Sequence, residues 1–314
     1  MKYSFVIPCY QSEKTIGTVV KEIQETVEKE QLGDYEIILV NDCSPDNVWE
    51  TIKDICASDH HVKGVCLAKN FGQHAALLAG YRKVTGDVVI SLDDDGQSPI
   101  EYLRMLLDEL DNNNDVVYSY CEGRKEPLYR RMGSSFALLM CKVFINAPKD
   151  FKGSSFYVAR RFVIDEMIRY DNAYPYLPGL IFRTTRKIGY VKAVHKKRLQ
   201  GRSGYSFRKL LGLWLNGFTA FSVKPLEIGS WTGAILAFGG FGGLIYTVIN
   251  KFLNPDTAVG WTSLISVSFL IGGIQLLMLG LIGEYIGRIY ICLNKSPQYV
   301  IREETETVET EEIK

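Results

Sequence analysis

Three adjacent carboxylates, Asp93-Asp94-Asp95, followed by Gly96-Gln97-Ser98-Pro99, form the most chemically pointed run in this 314-residue chain. Like charges this close repel one another, and no basic residue adjoins them in sequence. In extended backbone, residues i and i+2 point the same way. Asp93 and Asp95 can therefore face one divalent cation, with Gln97 as a neutral oxygen ligand. A few carboxylates completed by water and phosphate oxygens suit Mg2+, and Mn2+ takes the same donors. A solvated acidic turn would use the same residues, because Ser98-Pro99 has the form of a helix start. The position of the acids after the apolar run 88–92 favours the cation.

A second concentration of charge has the opposite sign. From Asn172 to Leu226 there is no Asp or Glu, while Arg183, Arg186, Lys187, Lys192, Lys196, Lys197, Arg198, Arg202, Arg208, Lys209 and Lys224 all fall there. Such a block is either a solvated basic face or a seat for an anionic partner such as phosphate or anionic lipid.

The elements that must carry the acids alternate. Strands are expected at Tyr3–Ile7, Tyr35–Val40, Val62–Leu67, Asp87–Leu92 and Val116–Tyr120. Helices are expected at Thr15–Glu30, Pro45–Ala57, Gly72–Lys83 and Pro99–Leu110. This β-α alternation predicts an α/β fold with a mainly parallel sheet covered on both faces, whose ligands bind beyond the carboxyl ends of the strands. Those ends are Pro8-Cys9-Tyr10, Asn41-Asp42-Cys43-Ser44-Pro45-Asp46 and the Asp93 run. No P-loop and no G-x-G-x-x-G after a strand is present, so no glycine cradle is expected for phosphate.

The rest of the composition narrows the class. Lys plus Arg and Asp plus Glu both number 36, which argues against nucleic acid as a partner of the whole chain. Seven scattered cysteines with no C-x-x-C pair read as reduced thiols in a cytosolic setting, and four histidines, of which only His60 and His61 are close, argue against a histidine metal site. The opening residues run straight into a strand, so no secretory signal is expected.

Two long uncharged stretches follow the basic block: 228–250 and 257–283, separated by Lys251 and Asn254-Pro255-Asp256. Each is long enough as a helix to cross about 30 Å of hydrocarbon. Basic residues flank the outer ends, so a multi-pass membrane protein with a two-helix transmembrane hairpin and both termini in the cytoplasm is expected. Gly239-x-x-x-Gly243 and Gly283-x-x-x-Gly287 suit close helix packing, within the hairpin or in a homo-oligomer. Residues 205–227 combine a basic start with Leu, Trp and Phe, as in an amphipathic helix lying on a bilayer, and 129–145 fits either that or a core helix. The predicted organisation is thus a cytosolic domain at 1–204, a juxtamembrane segment at 205–227, spans at 228–250 and 257–283, and an acidic disordered tail at 303–314.

Taken together, Val6-Ile7-Pro8-Cys9-Tyr10 with Glu13, Val40-Asn41-Asp42-Cys43-Ser44-Pro45-Asp46, Asn70-Phe71-Gly72-Gln73-His74-Ala75-Ala76, Gly86-Asp87 and Asp93-Asp94-Asp95-Gly96-Gln97-Ser98-Pro99 resemble family 2 glycosyltransferases. They are most similar to the branch that loads sugars onto polyprenyl phosphates, as dolichol-phosphate mannose synthases do. Arg198-x-x-Gly201-Arg202-Ser203-x-Tyr205 resembles that branch's later basic motif, and the paired apolar spans resemble its membrane-anchored members. The resemblance implies a GT-A fold, a nucleotide-sugar donor (a UDP-sugar, or GDP-mannose) and a polyprenyl-phosphate acceptor, undecaprenyl or dolichyl phosphate. Pro8, Tyr10, Glu13, Asp42, Asp93 and Asp94 would surround the nucleotide-sugar. Asp93, Asp95 and Gln97 would hold Mg2+ or Mn2+. Arg198, Arg202, Ser203 and Tyr205 would hold the lipid phosphate, with Asp95, Arg198 and Arg202 as the catalytic set.

The chain departs from the pattern in two places. Gln11-Ser12 replaces Asn-Glu after the first strand, and Gly153-Ser154-Ser155-Phe156 stands where many relatives carry Gly-Asp-Phe-Arg, whose Asp is a proposed catalytic base. Two other readings are a transferase to a polysaccharide or protein, against which stands the lack of Gln-x-x-Arg-Trp, and a non-catalytic membrane scaffold of the same fold, against which stands the intact acidic triad.

Overall fold

A computed structural model describes residues 1–120, 148, 151–173, 175–194, 260–294 and 296–305, with scattered helical residues between 226 and 253. Arg198, Arg202, Ser203 and Tyr205, the segments 129–145 and 306–314, and nearly all of 205–227 lie outside the described residues. The chain divides into two compact units: Met1–Gly217 with Ser296–Lys314, and Phe218–Lys295.

The first unit is built on an eight-stranded sheet. Its strands are β1 (Tyr3–Cys9), β2 (Tyr35–Asn41), β3 (Val62–Leu67), β4 (Val88–Ser91), β5 (Val116–Tyr120), β6 (Tyr157–Arg160), β7 (Ile188–Lys192) and β8 (Ile301–Glu304), in the order β7-β5-β6-β4-β1-β2-β3-β8. β1 pairs in parallel with β2 and β4, β2 with β3, and β5 with β7, whereas β6 runs antiparallel between β4 and β5 and β8 runs antiparallel along β3. All five predicted strands and all four predicted helices are present, with ends shifted by a few residues. The helices are α1 (Ile16–Lys29), α2 (Val48–Ser58), α3 (Gln73–Tyr81) and α4 (Leu103–Asp111), followed by α5 (Arg161–Ile168) and α6 (Leu177–Thr184).

Side-chain alternation along the strands separates two cores. Phe5 and Ile7 of β1, Ile37 and Leu39 of β2 and Ile90 of β4 pack with Ile16, Val20 and Ile23 of α1, Ile52 of α2 and Leu103 and Leu106 of α4. The intervening residues Val6, Ile38 and Val40 face α3. There the approach is so close that a Cβ on Gly80 would lie 2.4 Å from Val6 Cγ1 and 3.0 Å from Val40 Cγ2. Gly80→Ala should therefore force α3 off the sheet at a cost of about 1–3 kcal/mol, read as a lowered thermal midpoint of the purified protein.

β8 corrects two expectations. The domain predicted to end at residue 204 resumes at Ser296, and the tail predicted to be disordered from 303 begins instead as an edge strand. Its acidic composition suggested solvation, but the acids meet partners on α2 and just after α3. Glu303 Oε2 accepts from Trp49 Nε1 at 3.1 Å, Glu304 Oε1 lies 2.7 Å from Lys83 Nζ, and Thr305 Oγ1 accepts from the Gly64 amide at 2.8 Å. Just upstream, buried Gln298 donates from Nε2 to the carbonyls of Tyr170 and Asn172.

In the second unit, α7 (Trp261–Leu293) is 33 residues long. It starts inside the second expected span and runs ten residues past its expected end at 283. Glu284 and Arg288, four residues apart, mark the end of the uncharged stretch and not of the helix, because both are good helix formers. Residues Ile271–Leu293, with a mean hydropathy of 1.6, are long and apolar enough to cross a membrane.

Candidate active site

Because β1, β2, β3 and β4 are parallel, their carboxyl ends share one edge of the sheet, and the loops that follow them are laced together there. After β1, the Tyr10 amide donates to Asp94 Oδ2 at 2.8 Å, and Thr15 Oγ1 donates to the Asp94 carbonyl at 2.7 Å. The Gln11 amide donates to Ser44 Oγ at 2.7 Å, and the Glu13 amide to Asp46 Oδ2 at 3.0 Å. Ser44 is itself fixed from Asn41, whose Oδ1 accepts the Ser44 amide at 2.9 Å. Gln11 and Cys43, at the tips of the two loops, both hold positive φ (57° and 49°), an uncommon conformation for non-glycine residues that recurs at functional sites.

The acids sit in the middle of this edge. Asp93 Oδ1 accepts from Gln73 Nε2 at 2.8 Å, Asp93 Oδ2 accepts from Ser155 Oγ, and its amide donates to Ser98 Oγ at 3.2 Å. Asp95 Oδ1 accepts the Gln97 amide at 2.9 Å, which turns the chain back so that Gln97 stays beside Asp95. Burial pushes the Asp94 carboxyl up to about 6, with repulsion from Asp93 and Asp95 adding to it against the pull of the Tyr10 amide. Gln73 and Ser155, which orient Asp93, are neutral donors. Partly exposed carboxylates held this way fit a hard divalent cation, which would also relieve their mutual repulsion.

The antiparallel strand β6 is what the sequence reading missed. Its register sets Tyr157 opposite both Ser91 of β4 and Tyr118 of β5, so the residues before it arrive at the acidic edge. This brings Ser155 to Asp93. It also places Ser154, where a catalytic Asp stands in many relatives, with its Oγ 3.3 Å from Ser119 Oγ and accepting the Phe156 amide at 3.2 Å. The four-residue strand flanked by Phe156 and Arg161 carries too little periodicity to be read alone.

Two of the residues expected around the nucleotide-sugar, Pro8 and Asp42, lie below this edge. Pro8 is buried within β1, opposite Val40, so its side chain supports the edge without lining it. Asp42 is only 3% exposed, and both carboxylate oxygens are taken by backbone amides, Phe71 to Oδ1 at 2.7 Å and Gly72 to Oδ2 at 2.8 Å. Burial pushes its carboxyl up and the two amides pull it back. Tyr10, by contrast, is 45% exposed at the rim, and Glu13 Oε2 accepts the Asn47 amide at 3.4 Å. His74, in the first turn of α3, is held neutral: burial lowers it to about 4, and its Nδ1 accepts the Leu177 amide at 3.2 Å.

A second grouping of ligand-type atoms, Asp59, His60 and His61, precedes β3, with atoms within 4.8 Å of one another. Asp59 Oδ1 there accepts the His61 amide at 2.9 Å and contacts His61 Nδ1 at 2.8 Å, and Oδ2 accepts from Gln24, a hydrogen-bonded turn between α2 and β3. The five described cysteines, Cys9, Cys43, Cys56, Cys66 and Cys292, are free, in keeping with reduced thiols.

Residues 4–169 match the family Glycosyl transferase family 2, and residues 224–289 match the family GtrB C-terminal hairpin. The chain belongs to glycosyl transferase family 2. It is 32% identical over 306 residues to the undecaprenyl-phosphate 4-deoxy-4-formamido-L-arabinose transferase of Salmonella paratyphi B, covering 96% of this chain and 93% of that one. It is also 32% identical over 305 residues to glycosyltransferase YkcC of Bacillus subtilis, covering 96% and 94%. Among solved structures, this glycosyltransferase shares its fold with glucosyl-3-phosphoglycerate synthase from Mycobacterium tuberculosis in complex with Mn2+, UDP-glucose and phosphoglyceric acid. That match has a TM-score of 0.51 and 19% identity over 68% of this chain and 76% of that one. The expected mainly parallel GT-A sheet is therefore present, and the scaffold reading is set aside in favour of an enzyme.

Proposed function

We propose that this glycosyltransferase moves a sugar from a nucleotide-sugar, a UDP-sugar before GDP-mannose, to a polyprenyl phosphate at a membrane surface, with inversion. The observation that carries the reading is the acidic carboxyl edge of β4, in a chain that aligns over 96% of its length with a transferase named for undecaprenyl phosphate. Asp93, Asp95 and Gln97 would hold Mg2+ or Mn2+, which supplies positive charge for the departing diphosphate. Tyr10, Glu13 and Asp94 line the side where the nucleoside would enter. Arg198 and Arg202, with Ser203 and Tyr205, are assigned to the acceptor phosphate because they belong to a basic stretch that precedes the apolar segments.

In the reaction, a phosphate oxygen of the lipid attacks the anomeric carbon. A new carbon–oxygen bond forms, the bond to the nucleoside diphosphate breaks, and the diphosphate leaves with the electron pair. A phosphomonoester with its second pKa near 6 is already anionic at neutral pH, so positioning and charge stabilisation matter more than proton removal. Ser154 need not replace an acidic base. Ser154→Ala should leave turnover within about threefold of the native rate, measured as lipid-linked product per minute.

The unit boundaries support a membrane hairpin. β8 pairs with β3, so both ends of the inserted segment 218–295 return to one body. A segment that leaves and rejoins the same side of a bilayer must cross it an even number of times, which a single span by α7 does not satisfy. A first span over 228–250, antiparallel to α7 and packed on its glycines, would complete the pair, with the sheet in the cytoplasm. A homo-oligomer through the same glycines is part of this proposal.

The test is to offer radiolabelled UDP- and GDP-sugars to membranes containing the protein, with undecaprenyl phosphate and Mn2+. The expected product is a chloroform-soluble sugar phosphate that forms only with polyprenyl phosphate. Label transferred only to protein or polysaccharide would overturn the reading.

A further inference from the structure

Asp42 is the second-strand acid that the sequence placed beside the nucleoside, yet its carboxylate is buried and turned to the backbone of the loop leading into α3. We propose that Asp42 is a positioning residue for Asp93, acting through residues 70–73. The proposal rests on the reading of Asp93 and Asp95 as metal ligands.

The connection is a chain of hydrogen bonds from Asp42 to Asp93. Asp42 Oδ1 accepts the Phe71 amide at 2.7 Å, Oδ2 accepts the Gly72 amide at 2.8 Å, and its carbonyl accepts from Asn70 Nδ2 at 3.3 Å. Three consecutive residues thus hang from Asp42, Phe71 and Gly72 from its carboxylate and Asn70 from its carbonyl. Gly72 is held at φ 90° and ψ 159°, a conformation that essentially only glycine adopts, and as the N-cap of α3 it has no side chain to cap the helix. The loop's shape therefore depends on an acceptor from outside it, and Asp42 is that acceptor. The next residue, Gln73, opens α3 and donates from Nε2 to Asp93 Oδ1 at 2.8 Å. Shifting the Phe71 and Gly72 amides would shift the first turn of α3 and swing Gln73 off the acid.

Asp93 has a second, separate support. Its Oδ2 accepts from Ser155 Oγ, which comes from the segment before β6 and reaches Asp93 from another part of the chain. Of these two supports of Asp93, the one through Gln73 leads to Asp42 and the one through Ser155 comes from the segment before β6. This makes a prediction that a general packing role for Asp42 does not. Losing Asp42 and losing Gln73 should cost the same thing once, whereas losing Asp42 and losing Ser155 should cost two different things.

The experiment measures Mn2+ affinity by electron paramagnetic resonance on the full-length, detergent-solubilised protein in the presence of UDP. Asp42→Asn keeps the shape but presents an NH2 group to one of the two amides. It should weaken Mn2+ binding by about tenfold, as should Gln73→Leu, in the range seen when groups that orient metal ligands are removed. The Asp42→Asn/Gln73→Leu double variant should be no weaker than either single one, and Asp42→Asn/Ser155→Ala should show the product of the two single losses. If Asp42→Asn fails to fold, Gly72→Ala strains the same link and should lose the same tenfold, again without adding to Gln73→Leu. Native Mn2+ affinity in Asp42→Asn, or losses that multiply in the Asp42→Asn/Gln73→Leu pair, would overturn the relay while leaving the metal reading intact. A native protein that binds no Mn2+, or an Asp95→Asn variant that binds it as well as the native protein, would overturn the metal reading and the relay with it.

Discussion

Asp95→Asn should reduce sugar transfer by about 10^3-fold, some 4 kcal/mol of transition-state stabilisation. The substitution isolates charge from shape. Asp95 uses Oδ1 to accept the Gln97 amide at 2.9 Å, and an Asn carbonyl accepts the same bond, so the turn that returns Gln97 beside residue 95 survives. The lost anionic oxygen is the part a hard cation requires. Asp95 is also partly exposed, so its replacement should leave the thermal midpoint near the native value. Rate and stability are then read on the same preparation, by initial-rate lipid-product formation and by thermal unfolding. A variant that unfolds normally and still turns over within tenfold of the native enzyme would remove the metal from this edge.

The second large effect concerns stability. Glu36 in β2 is 2% exposed and serves four donors at once: Ser4 Oγ at 2.7 Å, Lys63 Nζ at 2.9 Å, and the Thr85 amide and hydroxyl. Ser4 Oγ in turn accepts the Gly86 amide, so this one carboxylate ties the starts of β1, β2 and β4 together at the end of the sheet opposite the acids. Glu36→Ala should cost about 3 kcal/mol, because it leaves the buried Ser4 hydroxyl and the partly exposed Lys63 without their acceptor, and should lower the thermal midpoint by about 10 °C. Burial alone would raise the Glu36 carboxyl, but the bonds from Lys63, Ser4 and Thr85 outweigh it and hold it at about 2, below its ordinary 4.5. A depressed carboxylate stabilises the fold fully above its unfolded value. The native protein should therefore lose about 3 kcal/mol as pH falls from about 4.5 towards 2, and Glu36→Gln should be much flatter over that window. Parallel pH–stability curves for the native and Glu36→Gln proteins would rule this out.

Much of this was legible from periodicity. Ile16, Val19, Val20, Ile23 and Val27 announce α1, and the apolar runs of β1 to β5 stand between turn residues, so the strand ends and their acids could be placed together. What periodicity does not carry is long-range pairing. β6 and β8 are four residues each, and antiparallel pairing with partners far away in sequence decides them. Hence Ser155 at Asp93 was invisible, and Glu303 read as solvated tail although Trp49 and Lys53 await it. Asp42 illustrates a different limit. Its residue type and place announce an important acid at a strand end, but whether a carboxylate faces a ligand or a backbone amide depends on the loop packed over it.

The place of β8 also bears on how the molecule is made. During synthesis, β1 to β7 leave the ribosome before 218–295, and β8, which covers the outer edge of β3, follows that segment. Until then β3 offers unpaired amides and carbonyls to any passing strand. Closure of the sheet by β8 thus comes after the apolar segment has been produced. Chains cut short after Leu293 would carry Asp93, Asp94 and Asp95 and still lack β8, leaving the edge of β3 open to edge-to-edge association.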